Sequence, residues 1–248
     1  MKKRPIILLT NDDGVGAKGI LVLKGEMSKL GEVWVVAPDK EQSTTSHSMT
    51  LTRPLRIKKI GPRFYSVDGT PTDAVMLAVH SIIKKTPDLI VSGINHGPNL
   101  GDDVTYSGTV AAAIEGTIFG IPSIAASMCD WKKGNFIEGA RFIRKLSKLV
   151  LKQGLPKDTF LNVNLPAARK IKNYEITKLG RVLYRDVIIQ KLDPRGQRYY
   201  WIGEQFPTSQ AQKGSDFCAV KKGLVSITPL HLDFTNYACI EELNKWKI

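Results

Sequence analysis

Short apolar runs of strand length alternate with helix-length amphipathic stretches through the first two-thirds of the chain, and few folds accept that alternation. It is the pattern of an α/β protein: a mostly parallel sheet with helices on both faces, since parallel neighbours need a crossover that packs back on the sheet. Strand candidates are residues 5–10, 33–37, 64–67, 88–94, 121–127 and 159–165. Helices are expected over 17–30, 70–84, 107–119 and 135–152. The second of these opens with Thr70-Pro71-Thr72-Asp73, a capping-box pattern with proline at the first helical position. Beyond about residue 172 the character changes, with strands expected over 174–178, 181–191, 197–202 and 223–230, a turn at Asp193-Pro194-Arg195-Gly196, and a short amphipathic helix over 237–246. The expected organisation is an α/β domain over 1–172 and a β-rich arm with a terminal helix over 173–248. Such an arm has little core of its own and should pack on the main domain or on a neighbouring subunit.

Bulk properties narrow the function classes. A chain of 248 residues with 42% hydrophobic content has ample material for a core. The basic start Met1-Lys2-Lys3-Arg4 is followed by an apolar stretch too short for a secretory leader, and no segment reaches the length of a membrane span. Cys129, Cys218 and Cys239 are few and far apart, which suits neither a disulfide framework nor a thiolate metal cage and points to a reducing cytoplasm. The net charge of +13 raises nucleic acid as a partner, but the basic residues are spread along the chain in small clusters. A solvated surface that attracts small anionic substrates explains them, with no stable nucleic-acid partner and no membrane expected.

The chemistry is concentrated where strands end. The run Pro5-Ile6-Ile7-Leu8-Leu9-Thr10 leads into Asn11-Asp12-Asp13-Gly14, placing two adjacent acids beyond the carboxyl end of a buried strand, where ligands collect in open α/β sheets. Successive strand residues face opposite ways, so both acids serve one site only after the turn that Gly14 permits. Two like charges so close repel unless a proton or cation lies between them, and a hard divalent cation suits carboxylate oxygens. The same four residues also suit a plain turn opening a helix. A competing pattern overlaps them: Gly14, Gly16 and Gly19 satisfy a dinucleotide-binding fingerprint, with Asp39 after the next strand where a ribose-binding acid belongs. Against it, Asp12 and Asp13 would face a pyrophosphate with nothing to neutralise them.

Three further segments follow strands. Residues 39–48 supply hydroxyls, among them Ser43, although their composition by itself suits a solvated polar loop better; residues 92–103 offer the amides of Asn95 and Asn99 among glycines; and Ser107-Gly108-Thr109 opens an alanine-rich helix. The first amides of a helix lack intrahelical partners and carry the positive end of its dipole, so this start suits a phosphate as well as a simple Ser cap.

As a set these segments resemble the SurE family of metal-dependent 5′-nucleotidases. The matching stretches are Leu9-Thr10-Asn11-Asp12-Asp13-Gly14, Val36-Ala37-Pro38-Asp39 with Ser43, Asp68-Gly69-Thr70-Pro71-Thr72-Asp73, Val91-Ser92-Gly93-Ile94-Asn95, Gly97-Pro98-Asn99-Leu100-Gly101 and Tyr106-Ser107-Gly108-Thr109-Val110-Ala111-Ala112. In the arm, Asp193-Pro194-Arg195-Gly196, Tyr200-Trp201-Ile202-Gly203, a looser stretch over 208–220, and Val225-Ser226-Ile227-Thr228-Pro229-Leu230 also match. The resemblance implies a Rossmann-like fold whose C-terminal hairpin and helix arm joins subunits into a homodimer or homotetramer. It implies Asp12, Asp13, Ser43 and Asn95 as ligands of one divalent cation per subunit, Mg²⁺ or Mn²⁺, with Asn99, Ser107, Gly108 and Thr109 around the phosphate. One departure stands out: the family commonly has Gly-Ala-Ser where Thr44-Thr45-Ser46 follows Ser43, which leaves the path of that loop open. His47 and His96 are near the site but are given no catalytic role.

The function expected from this reading is a cation-dependent phosphomonoesterase acting on nucleoside 5′-monophosphates, with 3′-monophosphates as a wider possibility and Asp12 and Asp13 as the catalytic acids. The alternatives are a nicotinamide-dependent oxidoreductase and a basic nucleic-acid-binding protein.

Overall fold

The computed structural model of the protein describes residues 4–130, 132–168, 170–183, 188–202, 208–210 and 212–246. Among the described residues the strands are β1 Ile6–Thr10, β2 Glu32–Pro38, β3 Ile57–Gly61, β4 Phe64–Val67, β5 Leu89–His96, β6 Ser123–Met128, β7 Thr159–Leu165, β8 Tyr174–Ile176, β9 Arg181–Leu183, β10 Ile188–Leu192, β11 Arg198–Ile202, β12 Thr208–Gln210 and β13 Val225–His231. The helices are α1 Lys18–Met27, α2 Pro71–Leu77, α3 Gly108–Ile118, α4 Phe136–Gln153, α5 Asp216–Lys221 and α6 Tyr237–Leu243. The main sheet has nine strands in the order β3-β4-β2-β1-β5-β6-β7-β13-β8. The six from β4 to β7 in that order are parallel, whereas β3 and β13 pair antiparallel with β4 and β7. The expected α/β class is therefore the observed one.

Strand β1 is buried along its whole length because both of its faces are covered. Ile7 and Leu9 pack with Ile20, Leu23 and Met27 of α1 and with Ala140, Ile143 and Val150 of α4. Ile6 and Leu8 face the other way, toward Ala74 and Val75 of α2 and Ala112 of α3. The period-two alternation of a strand thus divides one apolar run between two cores, and full burial of each such side chain contributes about 1.5–3 kcal/mol.

From β1 the chain moves outward on one side to β2 and β4, then crosses to β5 on the other side of β1. Strand order reverses between β1 and β5, so the crevice at their carboxyl ends is the topological switch point. The loops that leave these two strands carry Asp12, Asp13 and Asn99, and Asn95 lies near the end of β5.

The later elements divide. Strands β8 and β13 extend the main sheet beyond β7, whereas β10 pairs with β11 and β12 with β9 in separate two-stranded sheets. The strand expected over 181–191 has its middle, 184–187, outside the described residues; Gly203 of the family match and the basic start at 1–3 also lie outside them. Among the described residues no helix is long and apolar enough to cross a membrane.

Candidate active site

The site is built around Asp12, which is 6% exposed. The N-terminus of α3 comes down on it. Thr109 donates its hydroxyl to Asp12 Oδ1. The residue before, Gly108, lies so close that a Cβ there would stand 2.9 Å from Asp12 Cβ and 3.2 Å from Pro71 Cγ. Ser107 is the N-cap of this helix, its Oγ accepting from the Val110 amide at 3.2 Å. Its hydroxyl is therefore engaged in holding the helix start, and the simple cap and the phosphate-type start coexist.

Asp13 turns toward β5. Its Oδ2 accepts from the His96 amide at 3.1 Å, and its Oδ1 lies 3.7 Å from His96 Nδ1. Burial raises the Asp12 carboxyl to a pKa of about 6, countered by the Thr109 hydroxyl and reinforced by the Asp13 charge. Asp13 is also raised to about 6, mainly by burial, with the His96 amide opposing and Glu41 adding repulsion. Burial lowers the His96 pKa, and its ring packs edge-on against Phe136 at 5.2 Å. No lysine or arginine pairs with either carboxylate among the described residues. An acid pair buried without a balancing charge is the environment in which a cation binds most favourably.

Asn95 donates its side-chain Nδ2 to the Gly97 carbonyl at 3.0 Å, one residue from the His96 that touches Asp13. Ser43 is joined to the site more loosely. Its loop is stitched to Asp12 by the Gln42 amide, which donates to the Asp12 carbonyl at 2.8 Å. The Ser43 side chain itself is exposed and donates to Glu41 Oε1 at 2.5 Å. Among the described residues no three His, Cys, Asp or Glu side chains form a metal cage.

Asn99 is fixed from four directions. Its amide N–H donates to Asn164 Oδ1 at 2.9 Å, its carbonyl accepts from Asn162 Nδ2 and Asn164 Nδ2 at 2.9 Å each, and its own Nδ2 donates to Ser127 Oγ at 2.7 Å. Two residues on, the Gly101 amide donates to Asp216 Oδ2 at 2.7 Å, while Asp216 Oδ1 accepts from Gly180 at 2.8 Å. Fully buried Asp216 thus clamps the Asn99 loop to the C-terminal region. These supporting residues escape the sequence reading, although two asparagines alternating through the apolar strand Thr159–Leu165 are a signal, since polar side chains inside a buried strand must find partners. Replacing Asn164 by Ala strands the Asn99 amide and should lower stability by about 2 kcal/mol in urea melts, with turnover falling alongside. Wild-type stability and turnover in that variant would show the clamp to be dispensable.

The family model described as Survival protein SurE matches residues 7–186. A Geotalea daltonii protein named 5′-nucleotidase SurE is 52% identical over 98% of this chain and 99% of its own length. A Geobacter sulfurreducens protein of the same name is 49% identical over 98% of this chain and 94% of its own.

The chain belongs to the SurE family.

A crystal structure of the SurE protein from Aquifex aeolicus superposes with a TM-score of 0.87 at 45% identity, covering 97% of this chain and 98% of that one. Membership also accounts for the overlapping dinucleotide pattern. Gly19 is needed because a Cβ there would fall 1.9 Å from the Ile94 carbonyl, so it lets α1 press against β5. Around Gly16 there is open space, and Asp39 is exposed at the end of β2. Gly19 thus sets a helix on a strand beside the acid pair.

Proposed function

We propose that this chain is a divalent-cation-dependent phosphomonoesterase that releases phosphate from nucleoside 5′-monophosphates. The observation that carries the reading is the contact between the uncompensated acid pair and the start of α3, where Thr109 bonds Asp12. Relatives named 5′-nucleotidase that align over nearly the whole chain support it. Asp12, Asp13, Ser43 and Asn95 offer the hard oxygen donors that suit one Mg²⁺ or Mn²⁺. Such a cation, when bound, polarises a phosphoryl oxygen and lowers the pKa of a water.

The protein's own groups do the rest. The leading amides of α3, at Gly108 and Thr109, meet the charge on phosphoryl oxygens with the positive end of the helix dipole. Ser107 keeps that start rigid by capping it, and Asn99 presents a side chain whose backbone cannot shift. Burial raises Asp12 and Asp13 in the metal-free protein, a cation would hold them as carboxylates, and whichever of the two leans toward the attacking water serves as its base. The test is phosphate release from 5′- and 3′-nucleoside monophosphates with Mg²⁺ or Mn²⁺ and with EDTA. Release from the 5′ series that stops on chelation is expected; release indifferent to EDTA, or none from any nucleotide, ends the reading.

The arm belongs to the same proposal. Ile188, Ile189, Tyr200 and Trp201 of the β10–β11 hairpin are all exposed, more apolar surface than a solvated hairpin carries. A second copy of the chain, in a homodimer or homotetramer, is the occupant. Light scattering after gel filtration should give a multiple of the chain mass, reduced by Trp201→Lys; a monomeric wild-type protein at micromolar concentration refutes it. The three cysteines are free thiols, in keeping with a reducing cytoplasm.

A further inference from the structure

The long connection from β2 to β3 carries Ser43, and its anchoring has a feature that the reaction itself does not use. Unpatterned connections of this length are uncommon in compact domains and are usually functional. This one is pinned along its length, the Ser48 carbonyl for instance accepting from the Thr70 hydroxyl at 2.8 Å. Gln42 donates its amide to the Asp12 carbonyl at 2.8 Å, and Ser46 donates to the Tyr106 carbonyl at 3.1 Å. Thr50 bonds both oxygens of Asp73, with its amide to Oδ1 at 2.9 Å and its hydroxyl to Oδ2 at 2.6 Å. Between them His47 Nε2 lies 2.8 Å from Glu115 Oε2. Thr44 and Ser46 adopt φ of 57° and 51°, a region that costs a side-chain-bearing residue roughly 1–2 kcal/mol and persists only where the surroundings enforce it. Thr44 is thus a β-branched residue held in a conformation that favours glycine.

The His47–Glu115 pair is unequal. The Glu115 side chain is 6% exposed and that of His47 35% exposed, so a half-open loop residue satisfies a carboxylate buried in α3. That helix is the one whose first turn rests on Asp12. We propose that His47 is a positioning residue: by bonding Glu115 it latches the Ser43 loop onto α3, so that the hydroxyl donor to the cation and the amides facing the phosphate are set by a single helix. The proposal rests on the cation reading above. His47 touches neither cation nor substrate; it acts through the position of Ser43. Losing it frees the loop to relax out of the left-handed geometry at Thr44 and Ser46 and leaves Glu115 without a partner, which opposes reclosure.

The test uses the full chain in three forms: His47→Ala, His47→Gln, whose side-chain amide still donates to Glu115, and the double variant His47→Ala/Glu115→Gln, which removes the stranded buried charge and keeps the fold secure. Hydrogen exchange of the peptide spanning 40–49 is followed by mass spectrometry on metal-free protein, and Mn²⁺ affinity by the free-ion electron paramagnetic resonance signal. His47→Ala and the double variant should each exchange this peptide about tenfold faster and bind Mn²⁺ about tenfold more weakly, and His47→Gln should restore both. A general loss of stability would not be rescued by glutamine in this way. Unchanged exchange in His47→Ala and the double variant overturns the latch; faster exchange with unchanged Mn²⁺ affinity overturns its link to Ser43. A wild-type protein that takes up no Mn²⁺ overturns the cation reading itself, and the exchange data then report separately on whether the loop is latched.

Discussion

Asp13→Asn is expected to lower turnover by about 10²–10⁴-fold while making the metal-free fold more stable at neutral pH. Both effects come from the same burial. Burial raises the Asp12 and Asp13 carboxyls to about 6 in the folded protein, from an ordinary value of 3.8. A group raised on folding contributes stability that is fully present below its unfolded pKa and is lost as pH rises through the folded one. The metal-free protein therefore loses stability between about pH 4 and pH 7 on account of this pair, on the order of 1–3 kcal/mol for each acid. Asparagine keeps the shape and removes one of the two charges, and Asp12 is relieved as well because the Asp13 charge is among the causes that raise it. Thermal melts in EDTA at pH 5 and pH 7.5 should show a smaller loss in the variant than in the wild type. Adding Mn²⁺ at pH 7.5 should raise the wild-type midpoint by several degrees and leave the variant nearly unmoved. Turnover close to normal in Asp13→Asn removes this carboxylate from the chemistry. An identical pH dependence of melting in the two proteins removes the electrostatic account.

The second large effect is expected from a single methyl group. In Gly108→Ala the new carbon would lie 2.9 Å from Asp12 Cβ, 3.1 Å from Asp12 Oδ2 and 3.2 Å from the Pro71 ring. Asp12 Cβ and the Pro71 ring cannot swing aside, so the start of α3 must retreat and the bond from Thr109 to Asp12 should open. A displacement near 1 Å at a reacting centre costs about 10²-fold in rate. Stability should change little. Crowding costs about 1–3 kcal/mol, and alanine gains up to about 1 kcal/mol over glycine inside a helix. Rate and melting temperature together decide: a hundredfold slower enzyme with a melting point within a few degrees of wild type is the expected pair. Full activity would mean that the close approach of α3 is incidental.

Much of the sheet is legible in the chain because its strands are buried on two faces and read as continuous apolar runs. Residues 6–10, 64–67 and 159–165 emerge almost as expected, and the Thr70–Asp73 capping box forms as its pattern demands. Strand β3 is missed because Ile57–Gly61 is an exposed edge rich in lysine, held only by pairing with β4. The expected helix over 70–84 is shorter as an α-helix, since its last turns from Ala78 to Ile82 widen into a π-helix. Helix α5 is too short to show a period, so Asp216 gives no local sign of its clamp. At the site, Asp12, Gly108 and Thr109 were marked by residue type at strand and helix ends, and the structure brings them into contact. Ser43 stands out only through the family resemblance, and its hydroxyl rests on Glu41. The roles of His47 and Asn164 depend on partners in Glu115 and Asn99, distant in sequence, and no local pattern encodes such pairs.

Asp216 imposes an order of events on biosynthesis. The residues proposed to meet cation and phosphate all lie before residue 110, whereas the carboxylate that fastens Gly101, and with it the Asn99 loop, is made only when most of the polypeptide has left the ribosome. A nascent chain halted ahead of that point holds the whole reactive set without its brace, so competence as a hydrolase arrives late in translation.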